Sequence, residues 1–146
     1  MDVDALIAEA HELVRDAEPV SVPVTLGRRK VMVRFVPMEG TEWRALVLQH
    51  PPRPSVAQDM NLGYNIDAVA AAYPHVALTD GETVDDLMRE RDGKPYSKWP
   101  EVYGALNGVG LKDVARELWA AHELRPEQAV EAAGKASPGS RKKRSS

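Results

Sequence analysis

Three closely spaced prolines, Pro51, Pro52 and Pro54, constrain the fold of this chain more than any other feature. Proline lacks a backbone N–H and restricts the residue before it, so this segment ends any preceding helix and favours extended backbone. The residues just upstream predict a short helix over Glu42–Gln49, with Thr41 as its N-cap. The chain must therefore change direction near its middle.

The helix before the prolines places Trp43 on the same face as Leu46 and Val47, which predicts that Trp43 faces the core. After the prolines, Gly63 marks a turn, and Asn65 or Asp67 is the predicted cap of another helix. The apolar residues of that helix are Ile66, Val69, Ala70 and Tyr73. The whole stretch predicts two capped helices separated by an extended break.

The clearest predicted helix runs from Asp2 to Ala17. Its apolar positions recur at helical spacing, with acidic residues on the other face. The apolar positions are Val3, Leu6, Ile7, Ala10, Leu13, Val14 and Ala17. This stripe either covers the core of its own domain, which is the favoured interpretation, or packs on a neighbouring subunit.

A β-hairpin is predicted next, because apolar residues alternate with other residues on both sides of a turn at Leu26–Lys30. The alternating residues are Val20, Val22, Val24, Val31, Val33 and Phe35. Gly27 suits the turn, and Pro23 restricts the first strand to a sheet edge. The basic tip Arg28–Lys30 is interpreted as solvated, with contact to an acidic partner as the alternative.

Three further helices are predicted towards the C-terminus: Val84–Arg91, Lys98–Leu106 and Leu111–Leu124. Thr83 and Ser97 are the predicted caps of the first two. Short loops between such helices favour an antiparallel bundle. The predicted fold class is α+β, mainly α, in which the N-terminal amphipathic helix and the hairpin pack on a small helical bundle.

The predicted helix Val84–Arg91 turns Leu87 and Met88 inward. Acidic residues cluster at its start, namely Asp80, Glu82, Asp85 and Asp86. The cluster lacks the alternating oxygen ligands and the closing Glu of an EF-hand. It is interpreted as a set of helix N-terminal acids that stabilise the dipole.

Residue composition excludes several kinds of chemistry. The chain has no cysteine, so disulfides and thiolate sites are excluded. Its histidines, His11, His50, His75 and His122, lack the spacing of a metal site. His122 is expected to be a satisfied, partly buried side chain on a helix face. No phosphate loop or nucleophile motif is present, so we expect no catalytic, metal or cofactor-binding residues.

The predicted domain organisation is one globular domain over residues 1–124, a weakly helical extension over 125–133, and a disordered basic tail over 134–146. The tail carries a charge of +5 within a chain of net charge −3, which leaves −8 on the rest. An acidic body argues against nucleic-acid binding. The tail is interpreted as solubilising, with non-specific contact to an acidic surface as the alternative.

No apolar run approaches the roughly 18 residues of a membrane helix, so no membrane partner is expected. The N-terminus, Met1-Asp2-Val3-Asp4, is acidic where a signal peptide would be basic. Together these features predict a cytoplasmic protein.

Four segments, in order, resemble the tail assembly chaperones of long-tailed phages that infect actinobacteria. They are Arg34-Phe35-Val36-Pro37-Met38, Glu42-Trp43-Arg44-Ala45-Leu46, His50-Pro51-Pro52-Arg53 and Leu62-Gly63-Tyr64-Asn65-Ile66-Asp67. The resemblance extends over Val20 to Leu124. It implies a protein that binds the long helical tape measure protein in the host cytoplasm, keeps it soluble, and is absent from the finished virion.

The resemblance also implies many copies on one client, hence self-association, and in many members a longer isoform made by ribosomal frameshifting. Gly134-Lys135 is the candidate frameshift junction, which would make this chain the short form. Leu6, Leu13, Trp43 and Trp119 are expected to have structural or self-association roles. The alternatives are a structural virion component, such as a head–tail connector or minor tail protein, and a small bacterial adaptor or regulator.

Overall fold

A computed structural model describes residues 1–136 and has mixed α and β architecture. Its helices are α1 (Val3–Arg15), α2 (Gly40–Leu48), α3 (Ala57–Leu62), α4 (Ile66–Ala72), α5 (Trp99–Ala105), α6 (Gly108–Trp119) and α7 (Arg125–Ala136), with a π-helical turn at Ala120–Leu124 between the last two. Its strands are β1 (Val20–Leu26), β2 (Arg29–Phe35), β3 (Val76–Thr79), β4 (Val84–Asp85), β5 (Met88–Arg91) and β6 (Lys94–Ser97).

The predicted hairpin is confirmed and is part of a larger sheet. Strands β1 to β4 form one antiparallel sheet in sequence order, and β1 pairs with β2 from Val20↔Phe35 to Leu26↔Arg29. Gly27 adopts a φ of 63° at the turn, where a side chain would be strained. Pro23 lies on β1, which is an edge strand of this sheet, as predicted.

The predicted α+β class is confirmed, but the predicted packing of a hairpin beside an antiparallel helical bundle is not. Four strands, rather than two, form the main sheet, and α6 packs against β1. Helix α4 packs against α2, α5 and α6. Aromatic and aliphatic side chains from the sheet and the helices fill one shared core, whose largest fully buried apolar members are Val33, Phe35, Val69, Trp99, Val114 and Leu118.

The predicted helix Val84–Arg91 is also wrong, because this segment forms β4 and part of the separate β5–β6 hairpin. The acidic side chains explain the difference. Asp80 Oδ1 accepts hydrogen bonds from the backbone N–H groups of Glu82 and Thr83, and Asp85 accepts one from Leu87. Such local bonds give the backbone an alternative to the helix.

The inward orientation predicted for Leu87 is confirmed, since only 3% of this residue is exposed, whereas Met88 is 46% exposed. Leu87 has a φ of 63°, which is rare for a residue with a side chain. Burial of its side chain offsets the strain of that backbone conformation.

Around the prolines the structure adds a helix that the sequence did not predict. Helix α3 follows the proline segment and ends at Gly63, which has a φ of 90°. Helix α2 starts at Gly40 rather than Glu42, and Thr41 does not cap it: the N-cap is Glu39, without a side-chain cap bond. The cap predicted for α4 is confirmed, because Asn65 Oδ1 accepts the Ala68 N–H at 3.0 Å.

Of the C-terminal helices, α5 is one residue shorter at each end than predicted, α6 begins earlier, and α7 extends further. Asn107 caps α6 by accepting the Gly110 N–H at 2.9 Å, so the helix starts at Gly108 instead of Leu111. Ser97 Oγ accepts the Trp99 N–H at the start of α5. Helix α7 covers the predicted helical extension and reaches Ala136, three residues into the predicted tail. The remainder of that tail, residues 137–146, lies outside the described residues.

Candidate interaction surface

Helix α1 displays its apolar stripe to solvent. None of its residues is buried, and its large apolar side chains are more than half exposed: Val3 53%, Leu6 51%, Ile7 51% and Leu13 68%. The prediction that this stripe covers the core of its own domain is therefore wrong. An uncovered amphipathic helix is a typical contact surface for another protein.

The contacts that hold α1 explain why the stripe stays open. His11 Nδ1 lies 3.0 Å from Glu39 Oε1, and Val14 and Arg15 line a shallow cavity of about 290 Å³ with the segment before α2. His11 and Arg15 lie on nearly the opposite side of the helix from Leu6 and Leu13, and Val14, at the edge of the stripe, lies about a quarter turn from them. The body of the protein thus supports one side of α1 and leaves its apolar face accessible.

A second apolar surface is a groove between the α3–α4 region and α6, with a volume of about 450 Å³. Leu62, Ile66, Leu111 and Trp119 contribute apolar lining. Lys112 and Arg116 line the same groove with positive charge. Asp67 also lines the groove, with its carboxylate bonded to Arg53. The groove therefore combines an apolar lining with charged groups of both signs.

One wall of the groove is fixed by an ion-pair network that starts in the proline segment. Asp59 is fully buried and accepts three hydrogen bonds from Arg53: from the backbone N–H at 3.1 Å, from Nε at 2.7 Å and from Nη2 at 3.1 Å. Arg53 Nη2 also donates to Asp67 Oδ2 at 2.9 Å, and Tyr103 donates its hydroxyl proton to Asp67 Oδ1 at 2.7 Å.

This network joins the proline segment to α3, α4 and α5. The hydrogen bonds from Arg53 hold the pKa of the Asp59 carboxyl below its usual range, so the carboxylate stays ionised despite its burial. Burial and the bond to Asp67 raise the pKa of the Tyr103 hydroxyl, which stays protonated as a donor. These bonds connect the proline segment to α3, α4 and α5 through charged side chains.

The other anchor of this region is an aromatic cluster centred on Trp43. The indole ring stacks on His122, with ring centroids 4.1 Å apart, and makes an edge contact with Tyr64 at 6.0 Å. Trp43 Nε1 donates to Glu123 Oε2 at 3.0 Å, and the Tyr64 hydroxyl donates to the same oxygen at 2.6 Å. Because the π-helical turn carries both His122 and Glu123, it locks α2 to the C-terminal helices.

His122 is satisfied and partly buried, as predicted from its helix face. Its Nδ1–H donates to the Leu118 carbonyl at 2.7 Å, and its Nε2 accepts the Met38 N–H at 3.1 Å. With one ring nitrogen donating and the other accepting, the imidazole is neutral and carries its proton on Nδ1. Burial lowers the pKa of the His122 imidazole below its usual value, against the smaller opposing effects of the bond to the Leu118 carbonyl and of the Glu123 charge.

The residues predicted to have structural or self-association roles occupy three different places. Leu6 and Leu13 are exposed on α1, Trp43 is 6% exposed in the core, and Trp119 is partly buried in the groove. The core position of Trp43 is confirmed. The self-association of the other three stays a prediction.

The candidate frameshift residues, Gly134 and Lys135, lie in α7. Their position in a helix does not test a prediction about codons, so the frameshift also stays a prediction.

Sequence reasoning missed the anchoring roles of Arg53, Asp59 and Glu123. Arg53 lies between Pro52 and Pro54, and Asp59 lies on a helix that was not predicted. Neither position indicates that the two side chains form an ion pair in which the carboxylate is buried. Glu123 contacts Trp43 and Tyr64 across about 80 and 59 residues of sequence, respectively. Contacts at such separation leave no periodic signal in the chain.

Within residues 1–136, no group of His, Asp and Glu side chains is arranged to hold a metal ion. Over the same residues, no helix combines the length and apolar character needed to cross a membrane. Comparison of the chain with protein-family models, with curated proteins and with solved structures found no match in any of the three.

Proposed function

We propose that this protein is a tail assembly chaperone of a long-tailed phage, which binds the tape measure protein and keeps it soluble during tail assembly in the host cytoplasm. The observation that carries the proposal is the uncovered apolar stripe of α1. The resemblance of the segments between Arg34 and Asp67 to such chaperones supplies the identity of the client.

The physical basis is the match between this surface and a long helical client. A chain that exposes apolar stripes before the tail tube surrounds it needs a partner that covers those stripes reversibly. An amphipathic helix does so by packing Leu6 and Leu13 between the side chains of another helix. Its contact area is small, so many weakly bound copies protect a long client and leave when tube subunits polymerise.

Under this proposal the protein acts before the virion is complete and is absent from it. The gene is expected to lie directly upstream of a very long helical open reading frame. The chain is proposed to be the short form of a frameshifted pair, with the slip near the codons for Gly134 and Lys135. A nucleotide sequence without a heptameric slip site there would refute the frameshift but not the chaperone function.

Co-purification with the tape measure protein tests the proposal. Tagged chaperone is co-expressed with the untagged client, and the client is expected in the eluate. Leu6→Glu/Leu13→Glu is expected to lose it, whereas Leu48→Glu, one Leu→Glu change at a residue of α2 that is 69% exposed, is expected to retain it. Failure of the wild type to capture the client contradicts the proposal. Detection of the protein in purified virions by mass spectrometry favours a structural component instead.

A further inference from the structure

The β5–β6 hairpin stands apart from the core of the protein. It forms a sheet separate from the main one, and all of its residues are exposed except Tyr96, which is partly buried. Its base is held by the buried Leu87, whose carbonyl accepts the Lys98 N–H at 2.7 Å. A two-stranded hairpin of this kind gains little stability on its own. Its side chains therefore add little to the core and are available to another molecule.

One face of this hairpin carries three cations and an aromatic ring. Arg89 lies opposite Tyr96, and Arg91 lies opposite Lys94. Because residues two apart on a strand share a face, these four side chains form one surface, called here the cationic face. The guanidinium of Arg91 lies 4.8 Å from the centre of the Tyr96 ring. This contact restrains the guanidinium and leaves its edge N–H groups able to donate.

The positive charges of the cationic face are only partly compensated. Asp85 Oδ2 lies 2.8 Å from Arg89 Nη2. Among residues 1–136, no carboxylate forms an ion pair with Arg91 or Lys94. These two cations lie directly opposite each other, where like charges destabilise paired strands. An anionic partner would remove that repulsion.

We propose that the cationic face binds an acidic segment of another protein. Arg91 donates two parallel N–H bonds to one carboxylate of the segment, and Lys94 binds a second carboxylate as a point charge. Directly opposed residues have Cβ atoms about 4.5–5.5 Å apart. Acidic residues one turn apart on a helix, or two apart on a strand, have a similar separation of about 5–7 Å. A segment with acids at either spacing therefore matches the two cations.

The charge of the whole chain favours an acidic peptide over nucleic acid. The basic tail holds +5 of the net charge of −3, so the rest of the chain carries −8. Glu90, on the other face of the hairpin, and Asp92, in its turn, add negative charge close to the cationic face. A long polyanion would be repelled by this body, whereas a short acidic segment contacts only the nearest cations.

The tip of the β1–β2 hairpin is also basic but differs in two respects. Arg29 at that tip lies 3.8 Å from Asp80 Oδ2, so part of its charge is already compensated. In the part of the chain that the structure describes, Arg91 is the one arginine placed over an aromatic ring. The exposed residues Arg28 and Lys30 therefore serve as a matched control for the charge alone. The cationic face shares no residue with the α1 stripe, so it is independent of the proposed function.

Fluorescence anisotropy of the full chain with a labelled peptide tests the proposal. The peptide alternates glutamate with serine, and the same peptide with glutamine in place of glutamate is the reference. The wild type is expected to bind only the glutamate peptide. Arg91→Gln/Lys94→Gln should weaken this binding about tenfold or more, equivalent to about 1.4 kcal/mol. Arg28→Gln/Lys30→Gln should leave it unchanged.

One further substitution separates loss of binding from loss of the fold. Lys94→Glu places a carboxylate opposite Arg91, so it is expected to raise the melting temperature and to abolish peptide binding. A labelled oligothymidylate with the same number of negative charges should bind more weakly than the glutamate peptide. The proposal is overturned by a wild type that does not distinguish the two peptides, by an equal loss in the Arg28/Lys30 control, by a Lys94→Glu variant that keeps binding, or by tighter binding of the oligothymidylate.

Discussion

The indole ring of Trp43 lies nearly parallel to the imidazole ring of His122, with centroids 4.1 Å apart and an interplanar angle of 6°. The two residues are 79 positions apart in the sequence, and their contact fastens α2 to the π-helical turn. Glu123, next to His122, accepts the indole N–H at 3.0 Å. Trp43 is thus held by two successive residues of the turn, and this contact keeps α2 in position after β2.

Removing the Trp43 ring is expected to be among the most damaging single changes. Trp43→Ala should lower the free energy of unfolding by about 3–5 kcal/mol, because it deletes a buried aromatic side chain. Trp43→Phe keeps an aromatic ring but loses the bond to Glu123, and should cost about 1–2 kcal/mol. Urea unfolding measures both values. Equal losses for the two variants would show that the hydrogen bond and the stacking geometry dominate over burial.

Stability is expected to depend on the protonation of His122. Burial lowers the pKa of this imidazole in the folded protein, whereas in the unfolded chain it titrates near its usual value of 6.5. Between the two pKa values the unfolded state binds a proton that the folded state does not. The free energy of unfolding should therefore fall as the pH drops below about 6.5, until the pH passes below the folded pKa.

Comparison of unfolding at about pH 7.5 and about pH 5.5 measures this effect. His122→Gln cannot titrate and should show a smaller decrease between the two pH values than the wild type. His75→Asn is the control, because His75 is exposed and Asn tolerates its positive φ. A decrease as large in His122→Gln as in the wild type would contradict the role given to this residue.

The Arg53–Asp59 pair is expected to stabilise the turn after the prolines. Arg53→Ala leaves the fully buried Asp59 carboxylate without its cationic partner, and should cost about 3 kcal/mol. Asp67→Ala removes a carboxylate whose side chain is 45% exposed, and should cost about 1 kcal/mol or less. Thermal unfolding compares the variants. A larger loss for Asp67→Ala would mean that its bond to Tyr103 matters more than the buried pair.

The exposure of α1 predicts a sharp contrast between two leucines on amphipathic helices. Leu13→Ala should change the free energy of unfolding by less than about 0.5 kcal/mol, because the side chain is 68% exposed. Leu118→Ala should cost about 2–5 kcal/mol, because only 1% of the residue is exposed. Both values are measured on dilute protein to limit self-association. A cost above about 2 kcal/mol for Leu13→Ala would place α1 in the core.

The elements predicted correctly from the sequence have strong local signals. The alternation around Gly27 identified the hairpin, and Asn65 identified the start of α4. In contrast, Asp85 and its acidic neighbours were read as helix-dipole residues, although their carboxylates bond to nearby backbone N–H groups and favour turns. Local propensity does not distinguish these two uses of a carboxylate.

For the interaction surface, the helix was predicted correctly but its exposure was not. Periodicity identified the apolar stripe through Leu6 and Leu13, but the same pattern fits a helix that covers its own core and one that is left uncovered. The difference depends on which side of α1 rests on the body, and this is set by contacts such as His11–Glu39 that join distant parts of the chain. The groove at Trp119 is likewise assembled from α3, α4 and α6, so no single segment encodes it.

The soluble fraction of the tape measure protein on co-expression tests the proposed function most directly. The wild type is expected to shift the client from the insoluble to the soluble fraction, Leu48→Glu should do so equally, and Leu6→Glu/Leu13→Glu should not. This pattern would tie solubilisation to the exposed face of α1. A client that stays insoluble with the wild type, or that is equally soluble with the α1 variant, would contradict the account.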